Sequence, residues 1–491
     1  LNPDISTFAR VVNSEIYVDK TGLIEYTNRS AKTLQSYICI SRPRRFGKSI
    51  AANMLSAYYT CEYDSRELFS NLKIASSDSY EKHLNKYDVI FLNMQEFLSQ
   101  SSNVEEMLSL LKKSVIWDLL DKYPDFRYFD ETNLMRTLQD IYNKTKRPFV
   151  VIIDEWDCIF REYITDKKAQ EKYLDFLRDL LKDKGYVALA YMTGILPIKK
   201  YGTHSALNMF DEFSMIDPGP LAEYVGFTEE EVSELCERYG MDMQELKSWY
   251  DGYLFGRTEI YNPWSILNYV SSANSNETFA CQPYWINTSS NSIIHELVVK
   301  SDAKTKEQIA SLMEGGSVKA PIYEDSVYAN LNVNSDNVWS FLLFTGYLKQ
   351  IDSELIGETV YSTMVIPNRE ILSIYKRTIQ QWFEETIKQE KNPPLLQAIL
   401  DEDPQAVQNE INRWLRKCIS FYDTKENFYH GFLVGLLAGS EIYQVKSNRE
   451  NGDGRTDITV CEYQTREVAV VIEVKIAETF RQLDAKCDEG L

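Results

Sequence analysis

The chain has 491 residues and a mass of 57.1 kDa, and at roughly 100–200 residues per domain about two to four domains are expected. Hydrophobic residues make up 44% and aromatic residues 13% of the chain, which excludes a mostly disordered protein. The formal net charge of −20 disfavours attachment to nucleic acid by bulk charge, so a nucleic-acid site would have to be local.

The apolar runs and the cysteines predict a cytoplasmic protein that does not enter a membrane. The longest apolar runs, residues 149–153 and 468–472, have the length of a strand and not the roughly 20 residues that cross a membrane. No basic segment followed by an apolar one is seen near Leu1, so no secretion signal is expected. The eight cysteines contain no CxxC pair, which is typical of reduced intracellular thiols.

Residues 1–215 alternate strand-sized apolar runs with longer amphipathic stretches. Apolar runs with little alternation are typical of strands buried on both faces, and hence of a parallel α/β sheet. We expect this part to be the first domain. The candidate strands are residues 37–41, 89–94, 149–153 and 187–192.

The pattern changes at the Asp-Pro-Gly-Pro sequence of residues 217–220. Thr-Glu-Glu-Glu at residues 228–231 is the capping-box signature of a helix start. A mostly helical, aromatic-rich region follows, so residues 216–300 are predicted to form a helical domain.

Residues 301–405 predict a helix at 336–348, a hairpin within 347–366 and a second helix capped by Asn368. Helix, hairpin and helix in this order are typical of a winged-helix connector. Residues 406–491 return to an α/β pattern and form the last predicted domain.

Residues 42–49 read Arg-Pro-Arg-Arg-Phe-Gly-Lys-Ser between a predicted strand and a predicted helix, the context of a phosphate-binding loop. Gly47 would let the backbone approach phosphate oxygens, and the helix N-terminus attracts the anion. Lys48 would reach the β- and γ-phosphates, and Ser49 would bind Mg²⁺. The common pattern has Gly where Arg42 stands, so the alternative of a basic, solvated turn stays open.

Three arginines in this loop, Arg42, Arg44 and Arg45, exceed what a phosphate cradle needs. We predict that they contact the nucleotide, one of them as an arginine finger in cis or in trans. An arginine paired with carboxylates of this acidic chain is the alternative. Homo-oligomerisation is left open.

Residues 149–155 form an apolar strand that ends in two acids, Asp154 and Glu155. The carboxyl ends of strands are where ligands bind in open α/β sheets. Asp154 would hold Mg²⁺, Glu155 would act on the attacking water, and Thr193 would contact the γ-phosphate after the 187–192 strand. An ordinary strand end is the alternative for the acids, and a strand cap for Thr193.

Asp457 and Glu473 are symmetric about position 465, near a polar break that could turn the chain. A hairpin centred there places the two acids opposite each other, with Lys475 on the same face. Because paired acids repel, Mg²⁺ or Mn²⁺ between them would resolve the conflict and serve phosphodiester hydrolysis. An edge strand with a solvated Glu–Lys pair is the alternative.

Glu426 and His430 stand at the start of the preceding predicted helix. Glu426 would supply a further metal-binding carboxylate. His430 is predicted to be structural.

Together these segments resemble a bacterial family of AAA-like ATPases fused to a C-terminal PD-(D/E)XK nuclease domain. The resemblance spans nearly the whole chain, and its Arg-Pro-Arg-Arg-x-Gly-Lys-Ser block is quite specific. The matching segments are residues 17–21, 42–49, 153–157, 193–194, 249–253, 261–264, 346–347, 428–432, 454–457 and 472–475.

The resemblance implies a P-loop core of the ASCE/AAA type, a helical lid over residues 216–300 and a restriction-endonuclease-like domain over residues 406–491. It implies that Asp457, Glu473 and Glu426 hold the nuclease metal and that Lys475 is the catalytic lysine. The altered phosphate loop is then a family trait.

Two features depart from the family pattern. Thr456 stands where the name-giving motif has Pro. Only 16 residues follow Lys475, whereas the family continues with another helix and strand, so the resemblance predicts a nuclease domain cut short at its C-terminus.

The leading hypothesis is therefore an ATP-hydrolysing protein that controls a Mg²⁺-dependent nuclease acting on DNA rather than RNA. The resemblance alone suggests a setting in defence against mobile DNA or in mobile elements. The alternative is a signalling or assembly switch driven by ATP, whose C-terminal domain binds nucleic acid without cleaving it.

Overall fold

The computed structural model divides into two compact units. One comprises residues 1–288 and 319–371, and the other comprises residues 289–318 and 372–491. The four domains drawn from the sequence stay a prediction. The structure describes residues 2–198, 207–275, 280–287, 303–323, 335–388, 394–418, 433, 437, 442–451, 454–465, 467–475, 477 and 482–490.

In the described part of the first unit, five parallel strands form the central sheet. These strands are β1 (Tyr37–Ser41), β2 (Asp88–Asn93), β3 (Phe149–Asp154), β4 (Val187–Gly194) and β5 (Asp211–Phe213). Their order in space is β2-β3-β4-β1-β5, and every neighbouring pair is parallel. The predicted parallel α/β core is confirmed, and β5 is an edge strand that the sequence analysis did not predict.

The central strands are buried because their residues are almost entirely apolar. Every residue of β3 is buried, and so is all of β4 after Val187. Each Val or Ile side chain removed from water in this way contributes about 1.5–3 kcal/mol to stability. The sheet is therefore a rigid base for the loops that follow its strands.

Helices connect these strands, and several begin at a capping side chain. The side chains of Asn103, Asn133 and Asp166 accept hydrogen bonds from backbone N–H groups in the first turn of their helices. The helices are α1 (Ser6–Val12), α2 (Gly22–Ser30), α3 (Lys48–Tyr59), α4 (Arg66–Phe69), α5 (Tyr80–His83), α6 (Met94–Ser99), α7 (Val104–Lys122), α8 (Leu134–Thr145), α9 (Cys158–Glu162) and α10 (Lys167–Leu181).

The region after residue 215 combines helices with a small antiparallel sheet. Its elements are β6 (Phe227–Thr228), α11 (Glu229–Tyr239), α12 (Met243–Tyr250), β7 (Tyr253–Phe255), β8 (Thr258–Tyr261) and α13 (Pro263–Ser275). The predicted capping box between Thr228 and Glu231 is confirmed. The strands, in the order β6-β8-β7, have two to four residues, too short for an alternating pattern to reveal them.

The predicted order of helix, hairpin and helix is confirmed beyond residue 300. The Asn368 side chain accepts from the N–H of Ile371 at 3.0 Å, as a cap does, and the hairpin joins a third strand in the order β10-β11-β9. The elements are α14 (Ala303–Met313), β9 (Val318–Pro321), α15 (Ser335–Phe344), β10 (Lys349–Ile356), β11 (Thr359–Val365) and α16 (Arg369–Lys388).

The second unit contains an antiparallel sheet in the order β12-β13-β14. The remaining elements are α17 (Pro394–Leu400), α18 (Pro404–Cys418), β12 (Tyr443–Asn451), β13 (Gly454–Glu462), β14 (Val468–Ile472) and α19 (Leu483–Gly490). Its buried core comprises Leu395, Leu396, Leu437, Ile458, Val460 and Val474. Among helices of the described residues, none is long and apolar enough to cross a membrane.

A buried carboxylate at the start of α16 makes the first unit sensitive to pH. Glu370 accepts hydrogen bonds from the Ser265 hydroxyl at 2.7 Å and from the Trp285 N–H at 2.9 Å. Burial raises the pKa of Glu370 to about 7, although these hydrogen bonds oppose the rise. The folded state therefore binds this proton more tightly than the unfolded state does. The stability that it contributes is complete below the ordinary pKa of a glutamate and is lost as the pH rises through about 7.

We expect Glu370→Gln to remove this pH dependence, because an amide keeps an acceptor oxygen but does not titrate. The difference between the free energies of unfolding of the variant and the wild type should shift in favour of the variant by up to about 3 kcal/mol as the pH rises from 5 to 8. Urea denaturation across this pH range measures the difference. Glu358→Gln, at an exposed acid of the β10–β11 hairpin, is the control. The prediction would be contradicted if the free energies of unfolding of the wild type and Glu370→Gln changed equally with pH.

Candidate functional site

The phosphate-loop sequence lies where the central sheet passes into a helix. Residues 42–47 connect β1 to α3, which begins at Lys48. β4 lies between β1 and β3, and the carboxyl ends of parallel strands meet at one edge of a sheet. Thr193 near the end of β4 and Asp154 at the end of β3 are therefore brought to the same edge as the loop.

Arg42 is fully buried and holds the loop to neighbouring backbone. Its Nη1 donates to the carbonyl oxygens of Ser41 at 2.9 Å and Phe213 at 2.7 Å, and its Nη2 donates to that of Leu221 at 3.3 Å. The guanidinium also lies 4.7 Å from the ring centre of Phe255, and burial lowers the pKa of Arg42 to about 9. This placement differs from the predicted nucleotide contact, because the side chain turns inward and its Nη1 and Nη2 donate to carbonyls inside the domain.

The outer residues of the loop pack against the region after residue 215. The Arg45 guanidinium lies 4.6 Å from the ring centre of Trp264, at the start of α13. The ring of Phe46 packs against Tyr253 at 5.0 Å and against Phe255 at 5.4 Å, between ring centres. The small sheet and α13 therefore support the loop from one side.

Two glycines are required by the loop geometry. Gly47 has φ +93°, a left-handed conformation that other residues rarely adopt, and it precedes the first residue of α3. Gly346 has φ +86°, and a Cβ there would lie 2.9 Å from the Cβ of Pro43. Gly346 thus lets the chain approach the loop closely.

Lys48 is buried at the start of α3. Its Nζ donates to the carbonyl oxygens of Arg42 at 2.9 Å and Pro43 at 2.8 Å. Burial lowers the pKa of Lys48, while the negative charges of Glu155, Asp157 and Asp154 oppose that change. The ammonium is thus held by loop carbonyls within the field of nearby acids, and a phosphate could replace those carbonyls.

Asp154 is buried, and its carboxylate links the end of β3 to two hydroxyl groups. Thr193 Oγ1 donates to Asp154 Oδ1, and the Ser49 hydroxyl is also hydrogen-bonded to this carboxylate. Burial raises the pKa of Asp154, and these two hydrogen bonds counteract the rise. Carboxylate and hydroxyl oxygens are ligands that Mg²⁺ accepts, so Ser49 and Asp154 fit the predicted metal position.

Glu155 follows directly and adopts a left-handed backbone with φ +57°. Its Oε2 forms an ion pair with Arg161 Nη2. The same nitrogen donates to Gln95 Oε1 at 3.3 Å. Burial raises the pKa of Glu155, but the positive charges of Arg161, Lys48 and Arg44 outweigh burial, and the net shift is downward. The carboxylate is therefore ionised and held in place.

The sequence analysis missed Arg161, and it included Asp157 in a matching segment without assigning it a role. Asp157 is fully buried, and its Oδ2 accepts from the N–H groups of Ile195 at 3.1 Å and Leu196 at 3.2 Å. The spacing Asp-Glu-x-Asp after β3 could have drawn attention to Asp157. Nothing in the local sequence marks Arg161, whose role depends on where α9 lies.

The C-terminal hairpin has the predicted register. β13 and β14 pair antiparallel, with Ile458 opposite Ile472 and Val460 opposite Val470, which centres the pairing on position 465. A register shift follows Val460, close to the turn. Continuing the ladder by one position from Ile458 and Ile472 brings Asp457 opposite Glu473.

The two acids and the lysine lie close together at the end of this hairpin. Glu473 Oε1 accepts from the N–H of Asp457 at 3.4 Å, and Asp457 Oδ2 accepts from the N–H of Val474 at 3.0 Å. Lys475 Nζ is 3.7 Å from Glu473 Oε2. Val474 is buried whereas Glu473 and Lys475 are exposed, which is the alternation that a strand imposes.

The oxygen atoms of Asp457 and Glu473 fit a hard cation such as Mg²⁺ or Mn²⁺. Within the described residues, no group of three or more His, Cys, Asp or Glu side chains is arranged to hold a metal. The predicted third acid, Glu426, and also His430 lie outside the described residues. The metal assignment at this end of the chain therefore stays a prediction.

Two family models match the chain. Residues 4–203 match a family described as predicted AAA-ATPase, and residues 424–491 match the PD-(D/E)XK nuclease superfamily. The chain carries an AAA-ATPase-like domain and a C-terminal nuclease-like domain. The resemblance drawn from the motifs is thereby confirmed.

The individual proteins to which the chain is similar have low sequence identity to it. An uncharacterized protein in the vnfD 5′ region of Azotobacter chroococcum mcd 1 is 22% identical over 377 residues, which is 75% of this chain and 67% of that protein. The Aeropyrum pernix ORC2 protein in its ADPNP–ADP complexes is 14% identical, with 76% of this chain and 98% of that chain covered and a TM-score of 0.32. The Aeropyrum pernix ORC1 protein in complex with DNA is 12% identical, with 76% and 91% covered and a TM-score of 0.25.

We expect Arg42→Lys to destabilise the first unit, because one ammonium cannot reach three carbonyl oxygens and stack on Phe255. The free energy of unfolding should fall by on the order of 3 kcal/mol, as measured by urea denaturation. Arg45→Lys is the matched control. Arg45 is exposed, and its contact with Trp264 should be worth at most about 1 kcal/mol. Equal losses in the two variants would contradict the structural role of Arg42.

Proposed function

We propose that this chain binds and hydrolyses ATP at residues 42–49 and that the nucleotide state controls a metal-dependent nuclease at Asp457 and Glu473. The observation that carries the proposal is the gathering of Lys48, Asp154 and Thr193 beside the phosphate loop at one edge of the parallel sheet. The two family matches support both parts.

Phosphate binding would rest on the start of α3. Gly47 and the first N–H groups of the helix offer donors, and the helix dipole favours an anion. Lys48 would exchange its hydrogen bonds to the carbonyls of Arg42 and Pro43 for the β- and γ-phosphates. We propose that Arg44 or Arg45, rather than the inward-facing Arg42, adds further positive charge to the phosphates.

Ser49 and Asp154 would hold Mg²⁺, whose charge neutralises phosphate oxygens when it is bound. Thr193 would keep the Asp154 carboxylate oriented through its hydrogen bond and stand near the γ-phosphate. Glu155, ionised and next in the chain, would accept the proton of the attacking water. These roles need side chains that the sheet edge already brings together.

The nuclease part would use the carboxylates at the end of the C-terminal hairpin. Asp457 and Glu473 would hold Mg²⁺ or Mn²⁺, which supplies Lewis-acid stabilisation to a phosphodiester. Lys475, beside Glu473, would position water and steady the charge that develops on the phosphate. Glu426 is proposed as a further ligand.

DNA is the proposed substrate, and defence or mobile-element biology is the proposed setting. Both rest on the resemblance to fused ATPase–nuclease proteins. A cytoplasmic location is proposed, because the scattered cysteines without a CxxC pair are typical of reduced intracellular thiols. Assembly into a homo-oligomer is also proposed, since it would allow a loop arginine to act in trans.

Lys48→Ala should weaken ATP binding, because it removes the principal charged contact to the phosphates. A hydrogen bond to a charged group is worth about 1.5–3 kcal/mol, so the dissociation constant should rise about 10- to 100-fold. Titration calorimetry with ATP and Mg²⁺ measures it. Lys113→Ala, at an exposed position of α7, is the control and should bind like the wild type. Equal affinity for ATP in the wild type and Lys48→Ala would contradict the assignment of the nucleotide site.

Asp457→Asn and Glu473→Gln should reduce DNA cleavage to background and leave ATP binding unchanged. The amides keep oxygen acceptors for the backbone N–H groups that the two acids now bind, so the fold should survive while the charge needed for a metal is lost. Cleavage of plasmid and single-stranded DNA with Mg²⁺, with and without ATP, is the measurement. Glu467→Gln, on the exposed turn of the same hairpin, should cleave normally.

A wild type that binds ATP and DNA but cleaves neither substrate under any metal condition would contradict the nuclease proposal. That outcome would favour the alternative of an ATP-driven switch that only binds nucleic acid. In that case the hydrogen bonds that Asp457 and Glu473 make to backbone N–H groups would give the two acids a structural role.

A further inference from the structure

Arg161 connects two turns at the edge of the sheet. It lies on α9, six residues after Glu155. Its Nη2 contacts Glu155 Oε2 and also donates to Gln95 Oε1 at 3.3 Å. Gln95 is in α6, which follows β2 directly. The guanidinium therefore ties the turn after β3 to the turn after β2.

This ion pair is not an ordinary surface contact. The side chains of Arg161 and Glu155 are 9% and 28% exposed, whereas most surface pairs hold long side chains in full contact with water and are worth little. The loss of one partner from a shielded pair leaves the other charge poorly compensated. The pair is thus able to fix the orientation of the carboxylate.

The backbone around Glu155 adds to this constraint. Its φ of +57° is unusual for a residue with a side chain. The carbonyl oxygen of Glu155 accepts from the N–H of Cys158 at 3.1 Å, and the next residue, Trp156, donates its N–H to the carbonyl oxygen of Thr193 at 3.0 Å. The turn that carries the carboxylate is thereby fastened to β4 and to α9.

We propose that Arg161 is a positioning residue for hydrolysis, which holds Glu155 so that its second carboxylate oxygen receives the proton of the attacking water. The inference rests on the proposed ATP hydrolysis with Glu155 as the base. Arg161 fixes Oε2, which leaves Oε1 to accept the proton. A base held in the productive orientation does not have to be ordered again in each turnover.

The test uses the full chain with four variants: Arg161→Gln, Arg161→Lys, Glu155→Gln and the double variant Arg161→Gln/Glu155→Gln. ATP affinity and kcat are measured for each variant under one set of conditions. Arg161→Gln should lower kcat about 10- to 100-fold with an affinity within about threefold of the wild type. Arg161→Lys, which keeps the charge, should recover part of the rate.

The double variant decides whether Arg161 acts through Glu155. If it does, Arg161→Gln should cost little further rate in the Glu155→Gln background, because the group that it positions is already gone. Lys122→Gln, which removes an ion pair with the buried Asp88 at the first residue of β2, is the control for a general loss of stability. It should leave kcat unchanged.

Several outcomes would overturn the inference. A kcat for Arg161→Gln equal to or above that of the wild type would exclude a positioning role. A full additional loss in the Glu155→Gln background, or a loss of rate that Lys122→Gln shares, would indicate a structural effect instead. Failure of the proposed function is distinguishable, since a wild type without ATP hydrolysis, or one that Glu155→Gln does not slow, would refute the base assignment itself.

Discussion

Two buried cations in one short loop, Arg42 and Lys48, impose the constraint on which the proposed nucleotide site depends. A charged group removed from water is costly unless hydrogen bonds and opposite charges compensate it. Arg42 meets this need with three carbonyl oxygens and the face of Phe255. Lys48 meets it with two loop carbonyls and the field of three acids. The loop, the end of β5 and the acids after β3 must therefore come together before either cation is tolerated.

The same constraint explains why this loop departs from the common glycine-rich pattern. Arg42 stands where a glycine is usual, yet its side chain turns into the domain. The proposed phosphate contacts therefore belong to Gly47, Lys48 and Ser49 at the start of α3. Phe46 and Arg45 contact β7 and α13. Besides Gly47, aromatic packing and a buried guanidinium thus hold the loop in shape, where the common pattern has a further glycine.

The sequence predicted those features that depend on local pattern. Uninterrupted apolar runs revealed β1 to β4, and symmetry about position 465 revealed the pairing that brings Asp457 towards Glu473. The sequence did not predict the features that depend on where distant elements lie in the fold. The inward turn of Arg42 requires carbonyls 171 and 179 residues away, and the contact of Arg161 with Gln95 joins two separate turns. The short strands β6 to β8 carry too few residues for any period to appear.

A crystal structure of the protein with a non-hydrolysable ATP analogue and Mg²⁺ would show whether residues 42–49 bind the nucleotide. We expect Lys48 Nζ to leave the carbonyl oxygens of Arg42 and Pro43 and to come within hydrogen-bond distance of the β- and γ-phosphates, while Arg42 keeps its three internal contacts. A bound analogue whose phosphates lie away from residues 42–49, or a Lys48 that stays on both carbonyls beside the bound nucleotide, would contradict it.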